Sequence, residues 1–218
     1  MVLVKKKAPE ILLDGVDSHG SFVKFSLYEQ LEKNNVKGAV LFFYPLDFTF
    51  VCPTELIKLN ESFDAFQERG ILLVGISIDS KFSHKAWREK SIKDGGIGEL
   101  DYTLLSDINK TTSRNYEILI ENEQCFNEDV DMSEVTREVD EIALRATFFI
   151  DSEGIIRHQS INDLPIGRNI DEILRIIDAW KYHEKHGEVC PAGWSKGDSG
   201  MEANDSGLKD YMSSYMKE

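Results

Sequence analysis

The chain has 218 residues, of which 41% are hydrophobic, and it carries a formal net charge of −14 at pH 7. A chain of this length and apolar content buries one sizeable core, so we expect a single domain with a tail. The negative charge argues against nucleic acid and anionic membrane surfaces as partners, because both would repel it.

Taken in chain order, the hydrophobic pattern predicts alternating strands and helices. Strands are predicted at residues 11–13, 21–25, 40–44, 71–78, 102–105, 146–150 and 155–160. Helices are predicted at residues 54–69, 84–92, 109–116 and 169–186, with Gly70 and Gly187 as terminating residues. The continuous apolar run at 71–78 is typical of a central strand covered on both faces. Pattern alone indicates an α/β fold.

The N-terminal residues and the cysteine content bear on the cellular compartment in which we expect the protein to be located. Lysines follow only a few apolar residues at the start, an order that does not fit a secretory signal. No apolar run approaches the roughly 18 residues of a membrane span. Three cysteines are too few for a disulfide scaffold. We therefore expect a cytoplasmic protein, in which cysteines are more often catalytic than structural.

Cys52 lies between a buried strand and Pro53, which opens the next helical pattern. Proline is favoured at the first position of a helix, so Cys52 is predicted at a helix N-terminus. Unpaired backbone N–H groups and the helix dipole favour a negative charge there, which biases the thiol toward the nucleophilic thiolate. An isolated cysteine is more often a small buried hydrophobe. The flanking Pro45, Thr49 and Glu55 argue against that interpretation here.

Two motifs resemble those of the peroxiredoxins. Pro45, Thr49 and Cys52 match the P-x-x-x-T-x-x-C signature, and FFYPLDFTFVCPTE at 42–55 is similar to the typical two-cysteine subgroup, which includes alkyl hydroperoxide reductase C and thioredoxin peroxidases. The segment GEVCPAGW at 187–194 resembles the part of that subgroup that carries a resolving cysteine, here Cys190. The two motifs lie 138 positions apart and in the expected order.

The resemblance implies a thioredoxin-like α/β fold, with a central mixed sheet flanked by helices and a C-terminal arm. Residues 1–165 would form the peroxidase domain, and residues 166–218 would form a long helix and the arm with the resolving cysteine. An acidic insertion at about 117–141 departs from the family pattern. It holds ten acidic side chains and one basic one, and it includes Cys125. Carboxylates around Cys125 should make this thiol a poor nucleophile, so we expect it to be dispensable.

The resemblance also implies residue roles. Cys52 attacks the peroxide and becomes a sulfenic acid. Thr49 hydrogen-bonds the peroxide and places it near the sulfur, and Pro45 shields the thiolate from water. Arg145 stands where the family has its active-site arginine, although a surface arginine is the usual interpretation of that residue type. Supporting residues that orient Arg145 by charge-assisted hydrogen bonds are Glu55 and Arg168.

Recycling is implied to need a second thiol. Cys190 of the partner subunit would resolve the Cys52 sulfenic acid as an intersubunit disulfide, which thioredoxin or an AhpF-like flavoprotein reductase would then reduce. By itself, Cys190 in a Gly- and Pro-rich segment would be an incidental exposed thiol, and its neighbours favour the resolving role. The family assembles homodimers into decamers and uses no metal and no cofactor.

These observations favour a thiol peroxidase that acts on hydrogen peroxide and organic hydroperoxides. A thioredoxin-type disulfide oxidoreductase would require a C-x-x-C motif, which the chain lacks. A cysteine hydrolase would require a histidine paired with Cys52, and none is evident. A ring-forming holdase chaperone or peroxide sensor remains the alternative, and it can coexist with catalysis.

Overall fold

A computed structural model describes residues 2–33, 35–121 and 141–215. Most of the acidic insertion, with Cys125, therefore lies outside the described residues. The chain divides into two compact units, Met1–Arg168 and Asn169–Glu218. The division into functional domains at residue 165 stays a prediction.

The elements of the described residues alternate between strand and helix. The strands are β1 (Leu12–Val16), β2 (Phe22–Ser26), β3 (Gly38–Phe43), β4 (Ile71–Ser77), β5 (Thr103–Ser106), β6 (Leu119–Glu121), β7 (Glu141–Ala143), β8 (Arg145–Asp151) and β9 (Ile156–Asn162). The helices are α1 (Leu27–Leu31), α2 (Cys52–Glu61), α3 (Phe63–Glu68), α4 (Lys81–Glu89), α5 (Thr111–Asn115), α6 (Ile170–His186) and α7 (Asp205–Tyr215), with a 3-10 turn at Ile92–Asp94.

Within the described residues, seven strands form one mixed sheet in the order β2-β1-β5-β4-β3-β8-β9, and β6 pairs with β7. Strand β4 runs parallel to both β3 and β5, whereas β8 runs antiparallel to β3 and β9. Six residues of β3 and most of β4 are buried, as expected of central strands. The predicted α/β architecture with a central mixed sheet is confirmed.

The pairing of β3 with β8 determines which residues lie beside the loop that leads from β3 to Cys52. Phe43, the last residue of β3, pairs with Ala146 near the start of β8. Because the strands are antiparallel, Arg145 is brought beside the carboxyl end of β3, where the loop that leads to Cys52 begins. Phe43, Phe148 and Tyr116 pack ring against ring beneath this point, with centroids 4.9–5.8 Å apart.

The helix predicted at 54–69 is wrong as a single element. It breaks at Ser62, whose φ of −99° and ψ of 5° are not helical. The Ser62 hydroxyl donates to the Lys58 carbonyl at 3.3 Å, a back-bond that competes with regular helix geometry. The apolar spacing continues from α2 into α3, so periodicity alone could not reveal the break. Gly70 follows α3 with a positive φ of 67°, in agreement with its predicted role at the end of this segment.

The predicted boundaries of two other helices are also corrected. Helix α4 begins three residues before the predicted start at 84, because the Ser80 side chain caps it by accepting from the Ser83 backbone N–H at 3.1 Å. Helix α5 is shorter than the predicted 109–116, and Asp107 accepts from its Thr112 and Ser113 backbone N–H groups at 3.0 and 2.7 Å.

The C-terminal unit contains the longest helix described. Asn169 caps α6 by accepting from the Asp171 backbone N–H, and Gly187 ends the helix with a positive φ of 72°, as predicted. Beyond α6, Val189 and Met201 exchange two backbone hydrogen bonds of 2.8 and 2.9 Å. In the part of the chain that the structure describes, no helix combines the length and apolar character needed to cross a membrane.

Candidate active site

Helix α2 places Cys52 at its first turn. Val51 is the N-cap residue and offers no side-chain cap, while Pro53 occupies the first turn after Cys52. The predicted helix N-terminus is confirmed, with the helix starting one residue earlier than Pro53. Cys52 is a free thiol with an exposed fraction of 0%. The thiol therefore lies in the positive field of the helix N-terminus and is shielded from bulk water.

Arg145 contacts the Cys52 sulfur directly. Its Nη1 donates to Cys52 Sγ at 3.3 Å, and its Nε donates to the Leu164 carbonyl at 2.6 Å. The side chain is 4% exposed, so it is not a surface arginine. A cation fixed by a backbone carbonyl therefore faces the sulfur.

Glu55 joins Arg145 to Arg168. Glu55 Oε2 accepts from Arg145 Nη1 at 2.8 Å and from Arg168 Nη2 at 2.9 Å. Its Oε1 accepts from the Arg168 backbone N–H at 2.8 Å and from Arg168 Nε at 2.9 Å. Arg168 also donates to the Ala146 carbonyl at 2.8 Å and lies 3.3 Å from the centroid of the Phe42 ring. These buried groups leave Arg145 little freedom to rotate away from the sulfur.

The charges of this group shift the pKa of two members. Burial alone would raise the pKa of Glu55, but the hydrogen bonds and charge of Arg168 and the charge of Arg145 outweigh it and hold the pKa below its ordinary value. Burial lowers the pKa of Arg168, although the hydrogen bond and charge of Glu55 oppose this. Glu55 is therefore a carboxylate at neutral pH.

Thr49 and Pro45 lie on the loop between β3 and α2. Pro45 is buried, and Thr49 is partly exposed with its hydroxyl donating to the Leu46 carbonyl at 2.9 Å. Phe48 between them has a positive φ of 56°, which is uncommon for a residue other than glycine. This tight loop returns the chain toward Cys52. The Thr49 oxygen retains lone pairs that can accept further hydrogen bonds.

The structure reveals a buried support of this loop that sequence reasoning missed. Asp47 Oδ1 accepts from the Tyr44 hydroxyl at 2.8 Å, and Asp47 Oδ2 accepts from the Ser83 hydroxyl at 2.7 Å and lies 2.9 Å from His84 Nδ1. The other ring nitrogen of His84 lies 3.1 Å from the Leu105 carbonyl. Both ring nitrogens therefore lie within hydrogen-bonding distance of an oxygen, which fixes the orientation of the buried imidazole.

Asp79 completes this support. Its carboxylate accepts from the Asp47 backbone N–H at 2.8 Å and from the Ser77 hydroxyl at 2.6 Å. Burial, followed by the charge of Asp47, raises the pKa of Asp79. The sequence signal was an aspartate in the loop between β3 and Cys52, together with a histidine on the buried face of α4.

Cys190 lies in the C-terminal unit, beside the Val189–Met201 bridge. It is a partly exposed free thiol, and its Sγ donates to the Ala179 carbonyl at 3.4 Å. Burial raises the pKa of this thiol, the charge of Arg175 opposes the shift, and that of Glu188 adds to it. Arg175 also donates to the Trp194 carbonyl at 2.8 Å, which ties α6 to the segment that carries Cys190.

Among the described residues, no group of three or more His, Cys, Asp or Glu side chains is placed to hold a metal ion. The described site thus consists of a buried thiol, two guanidinium groups and one carboxylate, with a hydroxyl and a proline on the adjoining loop. These groups can stabilise an anionic sulfur and a developing negative charge beside it.

Comparison with known proteins gives concordant matches over nearly the whole chain. Residues 4–159 match the AhpC/TSA family, and residues 179–214 match the C-terminal domain of 1-Cys peroxiredoxin. Alkyl hydroperoxide reductase C of Buchnera aphidicola subsp. Schizaphis graminum is 41% identical over 215 residues, which cover 99% of each chain. The protein of the same name from Helicobacter pylori is 45% identical over 207 residues, which cover 94% of this chain and 91% of that relative.

A solved structure gives the same result for the fold. The crystal structure of reduced 2-Cys peroxiredoxin from Plasmodium vivax matches with a TM-score of 0.84 and 42% identity, over 98% of this chain and 100% of that one. The predicted thioredoxin-like architecture is thereby confirmed. The chain therefore belongs to the AhpC/TSA family and is a peroxiredoxin, a thiol peroxidase.

Proposed function

We propose that Cys52 is the peroxide-reducing cysteine of this thiol peroxidase. The thiolate sulfur attacks one oxygen of ROOH, so that an S–O bond forms and the O–O bond breaks. The departing oxygen takes a proton and leaves as ROH, and Cys52 becomes a sulfenic acid. The observation that carries this proposal is the 3.3 Å contact between Arg145 Nη1 and Cys52 Sγ in a closed, buried group of charges.

The charge balance of the buried group supports a thiolate. With a neutral Cys52, the two guanidinium groups of Arg145 and Arg168 and the single carboxylate of Glu55 sum to +1. Ionisation of Cys52 brings this sum to zero. A buried unpaired charge costs several kcal/mol, so the surroundings stabilise the anionic sulfur. The helix N-terminus acts in the same direction.

Thr49 and Pro45 would position the substrate. The Thr49 hydroxyl can donate to the distal peroxide oxygen or accept from its proton, since hydroxyl groups do both. Pro45 has no N–H donor and, because it is buried, helps to exclude water from the sulfur. Arg145 donors would stabilise the charge that develops on the departing oxygen.

Cys190 would resolve the sulfenic acid. Its sulfur attacks the Cys52 sulfur, an S–S bond forms and water leaves. A disulfide requires sulfurs about 2.05 Å apart and Cα atoms generally within about 7 Å. Because Cys52 is fully buried in α2, the first turn of this helix must open before another thiol can reach the sulfur. We propose that Cys190 of the partner subunit is that thiol, as the sequence resemblance implies.

The remaining features of the cycle follow from this chemistry. The substrates are hydrogen peroxide and organic hydroperoxides, and the disulfide is reduced by an external dithiol, either thioredoxin or an AhpF-like flavoprotein reductase. The functional assembly is a homodimer that associates into decamers. The supporting observations are the two-cysteine motifs and the family membership, and no described contact specifically favours the holdase alternative.

Turnover assays test the proposal. Peroxide consumption in the presence of a dithiol reductant should be abolished in Cys52→Ser. On non-reducing gels after peroxide treatment, the parent should run as a covalent dimer, and this band should be absent in both Cys52→Ser and Cys190→Ser. If Cys190→Ser still forms the covalent dimer and cycles with thioredoxin at the parental rate, Cys190 is not the resolving residue. If the parent consumes no peroxide, the proposed reaction is wrong.

A further inference from the structure

One turn of α2 is held at both ends by the same loop. The Tyr102 hydroxyl donates to the Leu56 carbonyl at 2.9 Å. Four residues further along α2, the Asn60 side chain donates to Asp101 Oδ2 at 3.2 Å and accepts from the Asp101 backbone N–H at 2.7 Å. Residues 101 and 102 thus hold the turn from Leu56 to Asn60, which follows directly on the first turn with Cys52 and Glu55.

The loop that carries Tyr102 is itself fixed. Arg88 of α4 donates to the carbonyls of Leu100 and Tyr102 at 3.0 and 3.4 Å, and to that of Ser18 at 2.9 Å. The Trp87 indole N–H donates to the Gly95 carbonyl at 2.9 Å. The Tyr102 side chain therefore projects from a rigid base rather than from a mobile loop.

Tyr102 is suited to act as a permanent donor. It is 3% exposed, and burial raises its pKa well above the ordinary value, although the charges of Arg88 and Arg168 oppose the shift. Its hydroxyl stays protonated at physiological pH. The hydroxyl donates to the backbone of α2 and not to the sulfur, so its effect on the chemistry is transmitted through the helix.

We propose that Tyr102 is a positioning residue which fixes the boundary between the part of α2 that opens and the part that stays helical. This inference rests on the proposed function, in which the first turn of α2 opens to expose the Cys52 sulfenic acid to Cys190. The clamp at Leu56 and Asn60 confines opening to the residues before it. Without the clamp, opening could extend into the turn from Leu56 to Asn60, so the clamp reduces the number of open states and the fraction of time for which the sulfenic acid is exposed.

The consequence concerns the fate of the sulfenic acid. In the open form, its sulfur forms an S–S bond with Cys190 and water leaves. In the closed form, it reacts with a second peroxide molecule, which adds one oxygen to give a sulfinic acid and releases ROH. Opening and over-oxidation compete, so a tighter clamp favours the sulfinic acid.

Tyr102→Phe removes the hydroxyl and keeps the ring. The net value of a buried hydrogen bond corresponds to about a 2- to 10-fold change in an equilibrium. We expect the peroxide concentration that gives half-maximal sulfinic acid during turnover to rise by that factor, as measured by intact-protein mass spectrometry. Hydrogen exchange at the backbone amides of residues 54–57 in the reduced protein should accelerate by a similar factor.

Tyr116→Phe is the matched control. Tyr116 is 1% exposed and its hydroxyl also donates to a backbone carbonyl, that of Pro9, at 2.9 Å. This variant loses the same kind of bond, but to a carbonyl outside α2, so general destabilisation would affect both variants alike. Asn60→Ala removes the other half of the clamp with little risk to folding and should shift both measurements in the same direction as Tyr102→Phe.

The results separate this inference from the proposed function. Shifts in Tyr102→Phe and Asn60→Ala that are absent from Tyr116→Phe would support the clamp. Equal values in Tyr102→Phe and Tyr116→Phe, for both sulfinic acid formation and exchange, would overturn it. If the parent consumed no peroxide, the proposed function would fail, and hydrogen exchange alone would still decide whether Tyr102 holds this turn.

Discussion

Replacement of Arg145 by methionine should lower the rate of the reaction with peroxide much more than it lowers the stability of the fold. The guanidinium group joins Cys52 Sγ at 3.3 Å, Glu55 Oε2 at 2.8 Å and the Leu164 carbonyl at 2.6 Å. Methionine occupies a similar apolar volume and has no donor. Loss of one preorganised donor beside a reacting group typically lowers a rate by about 10²–10³. We expect a decrease of this size in the second-order rate constant for the reaction of Cys52 with hydrogen peroxide.

Stability should change much less in Arg145→Met. Glu55 keeps three hydrogen bonds from Arg168, and the formal charge of the buried group with a neutral thiol falls from +1 to zero. The main loss is the donor to the partly buried Leu164 carbonyl, and even a fully buried acceptor left unsatisfied costs only about 1–3 kcal/mol. The free energy of unfolding should therefore decrease by no more than about 3 kcal/mol.

Stopped-flow kinetics of the reduced protein and urea denaturation measure these two quantities. Arg157→Met is the control. Arg157 in β9 forms an ion pair of 2.6 Å with Asp151 in β8, and neither residue belongs to the buried group around Cys52. The reasoning is refuted if Arg145→Met reacts with peroxide as fast as Arg157→Met. It is also refuted if the urea titration shows that Arg145→Met is unfolded in the absence of urea to an extent that accounts for the slower reaction.

Three further substitutions test separate parts of the site. Glu55→Gln leaves two buried guanidinium groups without a carboxylate and should lower the free energy of unfolding at pH 7 by about 3–5 kcal/mol, as measured in urea. Because the Glu55 pKa is lowered from 4.5, its stabilisation is complete above that pH and is lost as pH falls through the lower folded value, so this acid-side loss should be smaller in Glu55→Gln. Thr49→Val should lower the rate of peroxide reduction about 10- to 100-fold, whereas Thr49→Ser should retain most of it, since only serine keeps the hydroxyl; equal rates would exclude the hydroxyl role. Asp47→Asn should lower the free energy of unfolding by about 1–3 kcal/mol in urea, because an amide cannot accept from Tyr44, Ser83 and His84 as a carboxylate does, and an unchanged stability would show that this cluster does not stabilise the loop.

The sequence was sufficient to predict the residues around the Cys52 sulfur, but not the buried residues that support the adjoining loop. Cys52, Arg145, Glu55 and Arg168 were all proposed from motif resemblance, and the structure brings these four side chains into contact. Their separation of up to 116 positions shows why spacing alone could not pair them. The antiparallel register of β3 and β8 is what brings Arg145 to the loop, and register is a property of the folded sheet.

The features that sequence reasoning missed depend on tertiary contacts. The buried contact of Asp47 with His84 joins residues 37 positions apart, and no sequence pattern pairs them. Strands β6 and β7 are three residues each and lie at the two ends of the acidic insertion, and they are too short to show a periodic pattern. The break at Ser62 is local, but it lies within a continuing apolar repeat and depends on one side-chain hydrogen bond.

The most direct test of the central claim locates the oxygen atom that peroxide leaves on the protein. Reduced Cys190→Ser is treated with one equivalent of hydrogen peroxide, trapped with dimedone and digested for peptide mass spectrometry. The account predicts a single dimedone adduct on the peptide with Cys52, formed at the parental rate of peroxide consumption. An adduct on Cys125 instead, or peroxide consumption with Cys52 unmodified, would contradict it.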